Sequence, residues 1–137
     1  MAIAMAGAAL PSAAGSQSAT DIAGRWLTND GKAIITIAPC GNGPAHCGRI
    51  TRLTGAQPAG GARDGNNPDA ALRTRPVIGI TVLSNLNRSG TQWTGRGYSP
   101  EEGRNFTATV SATGGNGLRV RGCVSVFCRT LDWTRTN

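Results

Sequence analysis

From Gly24 to the C-terminus the chain alternates with a period of two, and glycine interrupts every stretch long enough to be a helix. Phe106, Ala108 and Val110 share one face of residues 105–111, and Leu118, Val120, Gly122 and Val124 share one face of residues 118–124. Side chains that alternate in this way suit a half-buried strand. The stretch Val77–Leu86 is apolar on both faces, which predicts a strand buried on both sides. Turn chemistry separates the strands. Asn29-Asp30-Gly31 divides Gly24–Thr28 from Lys32–Ala38, a strong hairpin signature. Asn87-Arg88-Ser89-Gly90, Ser99-Pro100-Glu101-Glu102-Gly103 and Thr113-Gly114-Gly115-Asn116-Gly117 mark off Gln92–Tyr98, Arg104–Ser111 and Leu118–Val124. Cys47–Leu53 and Arg129–Thr134 bring the prediction to eight strands.

Eight strands joined mostly by short loops imply an all-β fold, a small antiparallel eight-stranded meander. Such a sheet closes into a barrel with a small interior and so leaves no open edge. One connection is long: residues 54–74 contain four glycines and two prolines and no periodicity, as a lid, a packed Ω-loop or a flexible insertion would. At 137 residues the chain accommodates one domain, expected over residues 21–137, behind a short leader.

That leader, residues 1–20, is uncharged and Ala-rich. It resembles the apolar core and cleavage region of a secretory signal peptide without its basic start, with cleavage expected after Ala14 or Ala19. It is too short to span a bilayer. The four cysteines agree with export. Cys40 and Cys47 form one close pair and Cys123 and Cys128 another, as two local disulfides would require. Three connectivities are open to four cysteines. A four-thiolate zinc site is the rival, disfavoured because six and four residues separate the pairs rather than two to four in each. No metal is expected, and the compartment implied is periplasmic or extracellular.

The formal charge is +7, and all the basic residues but Lys32 are arginines. Residues 71–137 carry nine basic and three acidic groups, while residues 21–70 are nearly balanced. A basic half attracts anions, nucleic acid and anionic lipid or lipopolysaccharide among them. The arginines are spread singly, however, so a solvated cationic surface is the stronger reading. Single-stranded nucleic acid needs stacking aromatics on an exposed face. Of six aromatics, Phe106, Trp26 and Trp133 read as core, so nucleic acid is not expected as a partner.

Local constellations read as structural more often than chemical. Asp64, Asn67 and Asp69 have oxygen side chains but match no calcium-loop spacing. Asn67-Pro68-Asp69 is a good turn, with Asp69 placed to cap Ala71 and Leu72. Asp64 or Asp69 is a candidate partner for Arg73 or Arg75. Those two arginines lie two apart and, if extended, point the same way. They are placed to hold an anionic headgroup at a barrel mouth or to bridge to Glu101, Glu102 or Asp132, and the structural bridge is favoured. Gly95-Arg96-Gly97-Tyr98 is a thinned strand that a neighbour or ligand can approach closely, so Arg96 and Tyr98 join the candidate anion or ligand mouth. His46, the only histidine, is expected in a surface turn. No Ser lies in a nucleophile-elbow context, and Glu101 and Glu102 point apart in a turn. No catalytic residue and no cofactor are expected, and the chain does not read as an enzyme.

The ends of the barrel carry a resemblance. Gly24-Arg25-Trp26 opens the first strand and Trp133-Thr134-Arg135 closes the last, and in a closed meander these strands are neighbours. Arg135 is then placed to stack on Trp26 or Trp133. The pattern resembles the lipocalin or calycin barrels, where it implies a structural role in closing the base. A wider set runs through Gly24–Leu27, Cys40 with Cys47–Ile50, Asp64–Asp69, Arg73–Gly79, Gly97–Arg104, Arg121–Cys123 with Cys128, and Trp133–Arg135. Together these resemble the exported bacterial family catalogued as domain of unknown function 2147, over roughly residues 21–135. That resemblance implies kinship and compartment and supplies no activity. The function expected is a non-catalytic barrel that takes a small apolar or amphipathic ligand in its lumen, for which a cavity of about 300 Å³ is expected. The alternative is an envelope protein whose basic face meets anionic lipopolysaccharide or a partner protein.

Overall fold

The computed structural model describes residues 21–137. The leader expected over residues 1–20 lies outside the described residues. Eight antiparallel strands follow one another: β1 (Gly24–Leu27), β2 (Ala33–Pro39), β3 (His46–Leu53), β4 (Thr81–Ser89), β5 (Gln92–Ser99), β6 (Arg104–Ala112), β7 (Gly117–Val124) and β8 (Phe127–Arg135). Each pairs with the next, and β8 returns to β1 to close the barrel. One 3-10 turn, Ala70–Leu72, interrupts the long connection, with the Asp69 side chain accepting from the Ala71 N–H as its sequence position predicts.

The antiparallel order fixes two ends. The base carries the β2–β3, β4–β5 and β6–β7 turns and the segment before β1. The mouth carries the β1–β2, β5–β6 and β7–β8 turns and the long connection. Alternate side chains fill the lower lumen: Trp26, Ile35, Ile37, Leu86, Trp93, Val110 and Leu118 are all buried. Each such side chain contributes about 1.5–3 kcal/mol by leaving water.

Closure rests on a narrow seam, because β1 and β8 share only the register pairs Trp26↔Arg135 and Leu27↔Thr134. Arg135 reinforces it. Its guanidinium lies 4.3 Å from the centroid of the Trp26 ring and donates from Nη1 to the Ala23 carbonyl and from Nε to the Gly115 carbonyl, each at 3.1 Å. Gly24, at φ 133°, adopts a backbone conformation that L side chains rarely reach, and the Arg135 guanidinium fills the space a Cβ would need. Trp26 is in turn fixed by its indole N–H, which donates to the Ile22 carbonyl at 2.9 Å. Of the two stacking partners open to Arg135 in the sequence, the fold uses Trp26, and Trp133 faces the lumen one pair further in.

Two disulfides staple opposite ends. Cys40–Cys47 ties the β2–β3 turn at the base, and Cys123–Cys128 ties the β7–β8 turn at the mouth, with Cα atoms 5.0 and 4.0 Å apart. Short loops of this kind contribute about 2–3 kcal/mol or less each. Two disulfides are consistent with an oxidising compartment.

Three expectations need correction. Val77–Ile80 is not strand: Gly79 takes φ 101°, the segment turns, and β4 starts at Thr81. Val77 and Ile80 are buried as part of the returning loop, with the Gly79 N–H bonded to the Ile50 carbonyl and the Ile50 N–H to the Ile80 carbonyl. Apolar content alone does not separate a packed loop from a strand. Secondly, β8 begins at Phe127 and not Arg129, because pairing continues past the disulfide to Val124↔Phe127 and leaves a two-residue turn. Thirdly, His46 opens β3 instead of sitting in a turn, with its ring 4.5 Å from that of Trp93.

Replacing Arg135 with Ala removes the cation–π contact and two charge-assisted hydrogen bonds. Urea unfolding followed by tryptophan fluorescence is expected to show a loss of about 2–4 kcal/mol, with Arg135→Lys recovering part of it. An Arg135→Ala protein as stable as the parent contradicts this account of the seam.

Candidate functional site

The lower lumen is solid, but the upper lumen is not. Phe106 on β6 makes the division. Its ring lies across Gly97 on β5 and Gly122 on β7, and a Cβ on Gly122 would stand 2.8 Å from Phe106 Cδ2. Neither flanking position accommodates a side chain while the ring lies there. Above this floor is a cavity of about 220 Å³, walled by Val120, Val124, Phe127, Leu131 and Trp133, with Arg104, Glu102 and Arg129 at its rim. The volume falls short of the roughly 300 Å³ expected of a ligand-binding lumen. Trp133 forms part of this wall, and its buried indole N–H has no hydrogen-bond acceptor among the described residues. An unsatisfied buried donor costs about 1–3 kcal/mol.

The β7–β8 turn stands over this cavity. Val126 is 82% exposed and Phe127 79%, although both are apolar. Cys123–Cys128 holds the base of the turn, and Arg121 Nη2 approaches Cys128 Sγ at 3.3 Å. Around it, Arg129 pairs with Glu102 at 3.0 Å and Arg119 with Asp132 at 3.2 Å. These acids therefore do not bridge to Arg73 or Arg75 as the sequence allowed.

The long connection is a packed loop built on one carboxylate. Asp64 is 0% exposed. Its Oδ1 accepts from the Tyr98 hydroxyl at 2.7 Å, and its Oδ2 accepts from Asn67 Nδ2 at 2.8 Å and from Arg75 Nε at 2.9 Å. The backbone follows the same geometry, with the Asp64 N–H on the Arg75 carbonyl and the Asn67 N–H on the Asp64 carbonyl. Arg73 Nε donates to the Asn67 carbonyl at 2.7 Å, which fixes the turn from outside. Burial pushes the Asp64 carboxyl up, but the hydrogen bonds from Asn67, Tyr98 and Arg75 and the Arg75 charge outweigh it and hold the group below its ordinary value of 3.8. Burial and the Asp64 hydrogen bond and charge raise Tyr98 above its ordinary 10.0.

Arg73, Arg75, Arg96 and Tyr98 were expected at the barrel mouth. They lie instead on the outer wall, because Arg96 and Tyr98 alternate with the lumen-facing Gly95, Gly97 and Ser99, and the loop folds down onto that wall. There Arg75, Arg96 and Tyr98 line a second hollow of about 400 Å³ with Asn67, Asp69 and Asn105. Arg73 does not line it. Sequence reasoning missed the Asp64 network as a unit. Its only signal was the proximity of Asp64 to Arg73 and Arg75, while Tyr98 arrives from a residue 34 positions away.

The sign of the Asp64 contribution follows from its lowered value. The stability it supplies is complete above the ordinary carboxylate range and is lost as pH falls through the lower folded value. Asp64→Asn places an amide donor against the donors of Arg75 and Asn67. It is expected to reduce stability at pH 7 by about 2–3 kcal/mol and to flatten the acid limb of a stability-against-pH profile. An unchanged acid limb contradicts the assignment.

No curated protein matches the chain. Among solved structures, HP1028 from the human pathogen Helicobacter pylori, reported to belong to the lipocalin family, superposes with a TM-score of 0.74 at 18% identity over 85% of this chain and 84% of that one. At that identity the likeness establishes the fold, which is that of a lipocalin-like barrel. The sequence pattern of DUF2147, described as an uncharacterized protein conserved in bacteria, matches residues 24–135, which span all eight strands, and the chain belongs to that family.

Proposed function

We propose that the protein is a non-catalytic binding module, periplasmic or secreted, that takes one small amphipathic ligand into the upper lumen. The cavity above Phe106 carries this reading. Its wall is apolar, so the ligand body is apolar. The unpaired Trp133 N–H favours a ligand that brings an oxygen acceptor inside, and Arg104 at the rim, beside the Arg129–Glu102 pair, favours an anionic head. At about 220 Å³ the cavity suits a single slender chain or one ring, below the roughly 300–1,000 Å³ of drug-sized sites. The oxidised cysteines leave no thiol nucleophile among the described residues.

Native mass spectrometry of protein purified from its own periplasm reports adduct, leader cleavage and disulfide count together. Titration with decanoate is expected to give saturable one-to-one binding, weakened about tenfold or more by Leu131→Trp, which fills the cavity. Thermal unfolding confirms that the variant is folded. Absence of both an adduct and saturable binding refutes the proposal.

The apolar tip at Val126 and Phe127 favours a second reading, contact with an anionic envelope surface such as lipopolysaccharide, in which the tip enters the apolar layer and the arginines of the C-terminal half meet phosphates. Vesicles containing anionic lipid are expected to bind the protein, with loss in Phe127→Ser and weakening at high salt. Binding indifferent to both contradicts this reading.

A further inference from the structure

The hollow on the outer wall is built from donors that the fold leaves unengaged. Arg75 is anchored through Nε to the buried Asp64 carboxylate and lies 5.6 Å from the centroid of the Tyr98 ring. Its Nη1 and Nη2 have no partner among the described residues. The orientation of this guanidinium is thus set from behind, and its outer edge is left open. Arg96 lines the same hollow from β5, and its side chain has no ion pair or hydrogen bond among the described residues. Thr81, Ser84 and Asn105 add two hydroxyls and an amide to the lining, likewise without side-chain partners among the described residues. The one carboxylate at the rim, Asp69, has Oδ1 engaged by the Ala71 N–H.

A loop pinned only for stability needs Asp64, Tyr98 and the Nε of Arg75. It does not need a second arginine opposite, nor three further polar side chains around one concavity. Guanidinium groups present planar, forked donors that match the oxygens of phosphate and carboxylate in pairs, and hydroxyl and amide donors complete such a shell. The structure assigns this hollow, we infer, as a binding site for a small phosphate-type oxyanion, clamped between Arg75 and Arg96 and separate from the lumen. The preset Arg75 reduces the ordering needed on binding. The Asp69 carboxylate disfavours highly charged polyanions, so the fit is to a single phosphoryl group.

Arg96 makes the test clean, because it is exposed and holds nothing else together. Inorganic phosphate is titrated into the labelled full chain and amide shifts are followed by NMR. Saturable shifts are expected at Ser84, Arg96, Tyr98 and Asn105. Arg96→Gln is expected to weaken binding about tenfold or more at an unchanged thermal midpoint. Arg25→Gln, which removes an exposed arginine on β1, a strand that contributes nothing to the hollow, is expected to leave binding unchanged. Phosphatidate vesicles in place of inorganic phosphate identify the source. Loss of vesicle binding in Arg96→Gln points to a lipid headgroup, and a response to inorganic phosphate alone points to a soluble phosphate compound. Absence of saturable shifts, equal loss in Arg25→Gln, or saturation by acetate but not phosphate overturns the assignment. Decanoate binding in the lumen is read separately and does not depend on Arg96.

Discussion

One guanidinium holds the barrel shut. β1 is four residues long and meets β8 through two register pairs, which is little ladder for a seam on which eight strands depend. Arg135 adds the face of Trp26 and the carbonyls of Ala23 and Gly115, and so ties the end of the last strand to the start of the first and to the β6–β7 turn. Gly24 is where it is because no side chain fits beneath that guanidinium. A barrel open at this seam would expose two strand edges and admit water to Trp26, so the Gly-x-Trp and terminal Arg are the mechanical condition for a lumen.

With the seam closed, the contents of the lumen follow from side-chain volume. Eight strands enclose a space that side chains just fill or that holds one small ligand. Here both happen at different depths. Tryptophans and branched aliphatics fill the base, and glycines on the strands flanking Phe106 let its ring lie across them as a floor. The cavity above is small for that reason, and it opens beside the stapled, apolar β7–β8 turn.

Outside the wall, Asp64 does for the long connection what Arg135 does for the seam. A carboxylate removed from water needs donors at both oxygens, and it receives them from Asn67, Tyr98 and Arg75. A loop rich in glycine and proline becomes an ordered part of the wall, and its docking completes the hollow beside Arg75 and Arg96. The two hollows therefore have different chemistry, apolar within and polar without, because alternate residues of the same strands point to opposite faces.

The alternation, the turn residues and the two close cysteine pairs made the strand order, the barrel and the staples legible in the sequence, since these depend on neighbours along the chain. The Gly24–Trp26 and Arg135 pairing was legible for a related reason: closure leaves the first and last strands only each other. Tertiary structure alone decided the rest. Val77–Ile80 looked like strand because burial in a loop and burial in a sheet select the same residues. The inward or outward aim of Arg96 and Tyr98 depended on register. Tyr98 and Asp64, far apart in the chain, met only once the loop had folded onto the sheet. The size of the cavity depended on Phe106 finding a glycine on each flanking strand. Local pattern sets strands and turns because those forces act between near neighbours, whereas the depth of a cavity and the surroundings of a buried charge are set by which distant residues packing brings together.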